Sequence, residues 1–322
     1  MIAPTDLIEV RVASICRESS QVNSYQLVSA DAVPLPAYEA GAHIDVHLPG
    51  GLIRQYSLCN ATAEPNHYRI GVLRDAGSRG GSEALHRDVK VGSRLQISMP
   101  RNLFALEKKA THSLLLAGGI GITPMLAMAY QLYQQGRSFE LHYCVRSLEQ
   151  AAFIGELQQQ PWAQQVHLHI SQDGGRLQSA SLLAQATETT HLYVCGPAGF
   201  MDSLWADALG QGWPTSRMHR EYFDAPEVIA SDDDQPFEIQ LQSTGAIYSV
   251  AADQTVAQVL EQQGIDVALS CEKGICGSCL TPVLDGIPDH RDLYQTEEEQ
   301  AANSHFTPCC SRSKSARLVL QL

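Results

Sequence analysis

The sequence predicts a multidomain α+β protein made of an antiparallel β-barrel, a parallel α/β domain and a small C-terminal β-grasp domain. Three observations support this prediction. Short runs of alternating apolar and polar residues fill the first third of the chain, and strands alternate with helices in the second third. A C-x4-C-x2-C motif lies in the last third, and 322 residues suffice for two or three domains.

The first predicted domain, residues 1–106, consists of short strands. Alternating runs such as residues 7–12, 24–28 and 43–48 lie between Gly, Pro and Asn turns. Many short strands at close spacing are typical of an antiparallel barrel, and the segment at Pro100 marks its end.

The second predicted domain, residues 107–228, alternates strands with helices. We expect strands at residues 114–117, 140–145, 165–170 and 191–195, and helices over residues 124–135 and from Ala198. This alternation predicts a parallel sheet with helices on its faces.

The third predicted domain, residues 237–322, follows an acidic, proline-containing linker at residues 229–236. Strands are expected at residues 237–241, 247–250 and 317–322, and a helix over residues 255–264 ends at a glycine. Two strands, a helix, a cysteine loop and a late strand suit a grasp-like fold.

Charge and composition restrict the partners and the location. The net charge of −13 argues against a nucleic-acid partner. From residue 232 onward there are fourteen acidic and five basic residues, which either steer docking on a basic partner or only solvate the surface. The start of the chain lacks a signal peptide, and glycines and Pro124 interrupt the longest apolar region. Nine cysteines without an export signal indicate reducing conditions, so we expect a cytoplasmic protein without a membrane partner.

Four cysteines carry the strongest signal. Cys271, Cys276 and Cys279 follow the C-x4-C-x2-C spacing, which with a distant fourth cysteine holds a plant-type [2Fe–2S] cluster. The gap of 29 residues after Cys279 resembles that of plant ferredoxins, which favours Cys309 as the fourth ligand. The adjacent Cys310 would point to the other face of a strand. The weaker alternatives are buried or disulfide-bonded cysteines, or a zinc site, whose ligands usually come in paired short spacings.

A glycine-rich turn predicts a nucleotide site in the second domain. Gly118, Gly119 and Gly121 follow a buried strand and open a helix, where backbone amides suit a pyrophosphate. A purely structural turn is the alternative, because the strict dinucleotide fingerprint is absent. Further candidates for nucleotide contacts lie at other strand ends: Arg146, Ser147, Cys195, Gly196 and Pro197. A solvated loop at Arg146 and a packed thiol at Cys195 stay open as alternatives.

A flavin is expected between these two sites, because a nicotinamide delivers two electrons together whereas the cluster accepts one. The motif Arg54-Gln-Tyr56-Ser57 offers a cation for a phosphate, an aromatic ring and a hydroxyl group. The second candidate is the glycine-rich segment 77–82, whose backbone amides and arginine suit a phosphate. Each motif taken alone is also compatible with an ordinary strand or loop.

Five motifs in this order resemble the phthalate dioxygenase reductase family, the reductase components of Rieske-type oxygenases. They are Arg-x-Tyr-Ser-Leu, Gly-Ser-Arg-Gly-Gly-Ser, Gly-Gly-Ile-Gly-Ile-Thr-Pro, Cys-Gly-Pro and the cysteine loop. The resemblance covers nearly the whole chain and implies FMN, not FAD. It places the following residues at the FMN: Arg54, Gln55, Tyr56, Ser57, Val72, Leu73, Arg74, Gly80, Gly81, Ser82, Thr123 and Phe223.

The resemblance also implies the path of the electrons: from NADH to FMN, then to the [2Fe–2S] cluster, and finally to a separate Rieske-type oxygenase. NADH in place of NADPH is part of that expectation. The chain is expected to be a monomer and to need no catalytic side chain, because cofactors carry the redox chemistry. Two other classes stay open, a redox carrier or sensor, and a self-sufficient flavin oxidoreductase that reduces ferric iron or a quinone.

Overall fold

The computed structural model describes residues 7–31, 33–48, 51–61, 66–75, 80–223, 234–269, 271–275 and 277–322. The chain divides into two compact units, residues 1–223 and residues 224–322. The predicted barrel and the predicted α/β domain therefore belong to the same unit. Most of the predicted linker, residues 229–233, lies outside the described residues.

The first part of unit one is an antiparallel sheet of short strands. Its strands are β1 Ile8–Arg17, β2 Val22–Ser29, β3 Ala42–His47, β4 Ile53–Ser57, β5 Tyr68–Leu73, β6 Arg94–Ile97 and β7 Arg101–Asn102, and helix α1 spans Gly81–Asp88. The strand order is β4-β3-β6-β1-β2-β5, with β7 on β3, and a bridge between Leu58 and Ile70 links the two outer strands. Alternate residues such as Val10 and Val12 are fully buried, so the sheet wraps around a core as the alternation predicts.

The second part of unit one is a parallel sheet with helices on both faces. Its elements are β8 His112–Gly118, α2 Ile122–Gln134, β9 Ser138–Val145, α3 Ile154–Gln159, β10 Val166–Ile170, α4 Ser179–Leu183, β11 Thr190–Cys195, α5 Ala198–Gly210 and β12 Met218–Glu221. The strand order is β10-β9-β8-β11-β12, and every pair is parallel. Leu115 packs in the core with α2, whereas Leu116 packs in the core with α5. The parallel α/β prediction is confirmed, and β12 is a fifth strand that the sequence pattern did not reveal.

Polar contacts join the barrel to the parallel sheet. Arg69 on β5 makes two hydrogen bonds, at 2.8 and 2.7 Å, to the carboxylate of Glu156 on α3. Tyr130 on α2 donates to the same carboxylate at 2.6 Å. A Cβ on Gly71 would lie only 2.7 Å from Cγ2 of Thr123, so this glycine lets β5 approach the start of α2 closely. Strand ends from both parts can therefore contribute to one site.

Unit two has a mixed sheet with one helix packed on it. Its elements are β13 Phe237–Leu241, β14 Ile247–Val250, α6 Val256–Gln262, β15 Thr281–Asp285, β16 Pro288–Asp289, α7 Glu297–Ala302, β17 His305–Phe306, β18 Arg312–Ser313 and β19 Arg317–Leu320. The main sheet has the order β14-β13-β19-β15-β17, with β13 parallel to β19. Helix α6 begins at a capping box of Thr255 and Gln258 and buries Leu260 against Ile239 and Leu318. This is the predicted grasp arrangement, to which α7 is an unpredicted addition.

Among the described residues, none of the helices combines the length and the apolar composition that a membrane span requires.

Candidate functional site

Strand β4 carries four of the predicted flavin residues and pairs with β3 along its whole length. Gln55 donates from Nε2 to Oδ1 of Asp45 at 3.0 Å, and Asp45 also pairs with Arg101 at 2.7 Å. Burial raises the pKa of Tyr56, so its phenol stays neutral. The barrel thus holds Gln55 in its own polar network and keeps Tyr56 as an aromatic surface with a neutral hydroxyl group.

The predicted phosphate residues come together at the start of α1. Gly80 is the N-cap of this helix, with a φ of +85°, and as a glycine it brings no side chain to the helix start. Arg54 passes so close that a Cβ on Gly81 would lie 2.5 Å from its Cγ. We call Arg54, Gly80, Gly81 and Ser82 the phosphate cradle. A guanidinium beside the amides of a helix start fits the phosphate of FMN, and residues 77–79 of the predicted motif lie outside the described residues.

The end of β5 lies beside this cradle. The carbonyl oxygen of Val72 is 2.9 Å from Nε2 of His86 on α1, and Arg74 pairs with Glu83 on the same helix at 2.9 Å. Leu73 packs against the core that lies under α2. Three predicted residues that are consecutive in sequence therefore adjoin the cradle, as a site for the flavin side chain requires.

The carboxylate of Glu221 is a candidate that the sequence reasoning missed. Ser57 at the end of β4 donates to Oε2 of Glu221 at 3.0 Å, although the two residues are 164 positions apart. Burial raises the pKa of Glu221 to about 8, and the bond from Ser57 only partly opposes this shift. Glu221 is the last residue of β12 and lies in register with Cys195, the last residue of β11. The rule that ligands bind at strand ends, which selected Cys195, would also have selected Glu221 if β12 had been predicted.

Burial raises the pKa of Cys195 well above its usual value, and the neighbouring Glu221 raises it further. The Cys195 thiol is therefore protonated and inert as a nucleophile at neutral pH. This environment agrees with a packed thiol at the edge of the site.

The two predicted glycine turns pack against each other. A Cβ on Gly121 would lie 2.1 Å from the carbonyl oxygen of Cys195, and one on Gly196 would lie 2.9 Å from Cα of Gly118. Pro197 precedes α5, and a Cβ on Gly118 would lie 3.0 Å from its Cδ. The starts of α2 and α5 can approach only because these positions lack side chains, and their backbone amides suit a nucleotide pyrophosphate.

The remaining predicted residues lie at the same edge of the parallel sheet. Arg146 is exposed and Ser147 half-buried directly after β9, and Gly119 has a φ of +54° with open space around it. Thr123 on α2 donates from its hydroxyl group to the carbonyl oxygen of Ile120 at 3.0 Å. Phe223, two residues after β12, is 43% exposed at the end of the described part of unit one.

In unit two the predicted cluster ligands surround one loop. Sγ of Cys271 accepts hydrogen bonds from the backbone amides of Lys273 and Ile275, both at 3.4 Å. Sγ of Cys279 lies 3.4 Å from Sγ of Cys309. Cys276 lies outside the described residues. Amides that donate to a sulfur are the contacts that stabilise an anionic thiolate-bound cluster.

Two glycines shape this loop. Gly274 has a φ of +72°, and a Cβ there would lie 2.5 Å from Sγ of Cys310. Gly277 has a φ of +67°, and a Cβ there would lie 2.3 Å from the ring of Tyr294. Sγ of Cys310 lies 3.2 Å from the hydroxyl group of Thr307, whereas Cys309 faces Cys279. These contacts favour Cys309 over Cys310 as the fourth ligand, an assignment that stays a prediction.

Comparison with known families gives two matches. Residues 115–205 match an oxidoreductase NAD-binding domain, and residues 239–314 match a 2Fe-2S iron-sulfur cluster binding domain.

Whole-chain relatives extend these matches to the barrel. The chain is 53% identical to a vanillate O-demethylase oxidoreductase from a Pseudomonas species, covering 98% of this chain and 100% of that protein. It is 39% identical to the carnitine monooxygenase reductase subunit of Escherichia coli, covering 98% of each chain. Among solved structures, phthalate dioxygenase reductase matches with 37% identity, 98% coverage of both chains and a TM-score of 0.74.

Proposed function

This chain belongs to the phthalate dioxygenase reductase family, and we propose that it reduces a Rieske-type terminal oxygenase that demethylates a vanillate-like methoxyarene. The chain is an NADH-dependent FMN and iron–sulfur oxidoreductase that serves an oxygenase partner. The identity of 53% over the whole length with the vanillate O-demethylase oxidoreductase carries the choice of partner. We further propose that the protein is a cytoplasmic monomer.

Two cofactors, FMN and the [2Fe–2S] cluster, would carry the redox chemistry. When bound, FMN would supply uptake of electrons in pairs and their release one at a time, and the cluster would supply single-electron transfer. The phosphate cradle, β4 and the end of β5 would hold the FMN, and Thr123 and Phe223 would contact it. The NADH contacts are Gly118, Gly119, Gly121, Arg146, Ser147, Cys195, Gly196 and Pro197. The cluster ligands are Cys271, Cys276, Cys279 and Cys309.

We propose that Ser57 and Glu221 form a proton route, although no catalytic side chain was expected from the sequence. The hydride from NADH carries both electrons, and formation of the neutral reduced flavin takes up one further proton. Glu221 keeps a proton on its carboxyl group up to a pH of about 8, and the Ser57 hydroxyl group lies 3.0 Å away. We assign Glu221 as the proton store and Ser57 as the group that passes the proton on.

The acidic surface of unit two suits docking on a basic oxygenase. Glu297, Glu298 and Glu299 form the first turn of α7, and all three are exposed. Complementary charge speeds the encounter of two proteins and is screened by salt. Electron delivery to the oxygenase should therefore slow as the ionic strength rises, while NADH oxidation with a small neutral acceptor should not.

Reconstitution tests the proposal. Purified holoenzyme, NADH and a vanillate-demethylating oxygenase should consume vanillate and NADH together, and an oxygenase specific for a quaternary amine should support much slower turnover. Equal turnover with both oxygenases would disprove the choice of partner. Fast reduction of a ferric chelate or a quinone, with no response to either oxygenase, would instead favour the self-sufficient oxidoreductase.

A further inference from the structure

A group of histidines lies on one face of strands β9 and β10, outside the predicted cofactor sites. The two strands are parallel and in register, with His167 opposite His142 and His169 opposite Cys144. Side chains alternate between faces along a strand, so Glu140 and His142 share a face. Opposed residues of paired strands also share a face, which adds His167 and His169 to the group.

Three of these side chains have the geometry of a metal site. One potential ligand atom from each of Glu140, His142 and His167 lies within 4.8 Å of the other two. Nε2 of His142 is 3.3 Å from Oε2 of Glu140, and the rings of His142 and His167 are stacked with centroids 4.7 Å apart. His142 is only 7% exposed, whereas His167 is exposed and open to entry of an ion.

His169 holds the ring of His142 in place. Its Nε2 lies 3.0 Å from Nδ1 of His142, so one nitrogen of His142 is engaged and the other faces Glu140. A histidine that binds a metal through one nitrogen is usually fixed by a hydrogen bond at the other.

We propose that Glu140, His142 and His167 bind a divalent transition-metal ion of the zinc class, with His169 as a positioning residue. Imidazole nitrogens and one carboxylate are ligands that Zn²⁺ accepts, and three protein ligands leave a fourth position for water. Zinc–nitrogen bonds of about 2.0–2.1 Å hold ligand atoms about 3.4 Å apart. The three ligand atoms, which lie within 4.8 Å of one another, would move closer together when the ion binds.

Without a metal ion, hydrogen bonds can give some of the same atoms a partner. His169 can donate to His142, and His142 can donate to Glu140, which gives a chain of hydrogen bonds among neutral rings. His167 has no role in that chain, so its substitution separates the two arrangements.

Equilibrium dialysis of tag-free holoenzyme against Zn²⁺, with zinc and iron counted per chain, tests the proposal. Wild type should bind one zinc ion, and His167→Ala and Glu140→Gln should lose it. His169→Ala should keep the stoichiometry of one but bind about 10–100-fold more weakly, as is usual when a supporting hydrogen bond is removed. His191→Ala is the matched control, because His191 stacks on His219 of the same sheet with Nδ1 and Nε2 2.9 Å apart. It should bind zinc like wild type.

Thermal unfolding gives a second measurement that does not depend on the metal count. Zinc at about a hundred times its dissociation constant should raise the unfolding midpoint of wild type by several degrees. The same zinc should leave His167→Ala unchanged. Equal zinc uptake by wild type and His167→Ala, or no uptake by wild type, would overturn the proposal and leave the hydrogen-bonded chain.

Discussion

Ser57 and Glu221 meet from strands 164 residues apart, whereas Cys271 and Cys279 belong to one loop and are eight positions apart. The flavin site therefore depends on how the barrel packs against the parallel sheet. The cluster site depends on the local backbone, which turns through the left-handed region at Gly274 and Gly277. A change in packing should damage the first site and spare the second, while a change in the loop should do the reverse.

The largest expected effect distinguishes the roles of the adjacent residues Cys309 and Cys310. Cys309→Ser should lose most of the bound iron and stop electron delivery to the oxygenase, because a serine hydroxyl is not ionised and cannot replace a thiolate. Cys310→Ser is the control and should keep both. NADH-dependent reduction of ferricyanide, which the flavin alone supports, should survive in both variants. Iron analysis and the visible spectrum measure the outcome, and the reverse pattern would assign Cys310 as the ligand.

Glu221→Gln tests the proton route at the flavin site. Because the carboxyl group is protonated below a pKa of about 8, flavin reduction by NADH should be fast below that pH and slow above it. The variant should be about 10²–10³-fold slower at pH 7 and should lack this pH dependence. Stopped-flow absorbance of the flavin across this pKa gives both quantities.

The control for this experiment is Glu149→Gln, which removes an exposed carboxylate from the same unit. It should leave the rate and its pH profile unchanged. A Glu221→Gln variant with the rate and profile of wild type would exclude Glu221 as the proton store.

Arg54→Gln tests the phosphate cradle. Hydrogen bonds to a charged group contribute about 1.5–3 kcal/mol, so the affinity for FMN should fall about tenfold to a hundredfold. Arg11→Gln removes an exposed arginine from the same barrel and should bind FMN normally. Recovery of flavin fluorescence on dilution measures the release, and equal release from both variants would place the phosphate elsewhere.

The smallest effect concerns the packed glycine turns. Gly121→Ala forces a methyl group against the carbonyl oxygen of Cys195, 2.1 Å away, and should cost about 1–3 kcal/mol of stability in unit one. Gly199→Ala in α5 meets no neighbour within 4 Å and should be neutral or slightly stabilising. Chemical unfolding, monitored through the release of flavin, compares the stability of the two variants. Equal stability would mean that the two turns can separate without cost.

The contrast between a site built from distant strands and a site built from one loop also explains what could be predicted from the sequence. The cysteine loop and the glycine turns were found because their chemistry is encoded in short spacings that need no knowledge of the fold. The parallel sheet was predicted from the alternation of strands and helices, but β12 was missed because its four residues, Met218–Glu221, include three polar side chains. Glu221 was missed for a related reason. Its partner Ser57 is distant in sequence, and a glutamate next to an arginine in an unrecognised strand resembles a surface residue.

The ion pair of Arg69 and Glu156 determines where this chain could be divided and recombined with a relative. A chimera joined near residue 106 would take Arg69 from one parent and Glu156 from the other, together with the donor and the acceptor of the Ser57–Glu221 bond. The two residues of each pair would then come from different parents, and nothing would ensure that they are complementary. A joint after residue 223 leaves every one of these pairs within a single parent. The cluster-bearing unit is therefore the part that could be exchanged to give the same flavin chemistry a new electron acceptor.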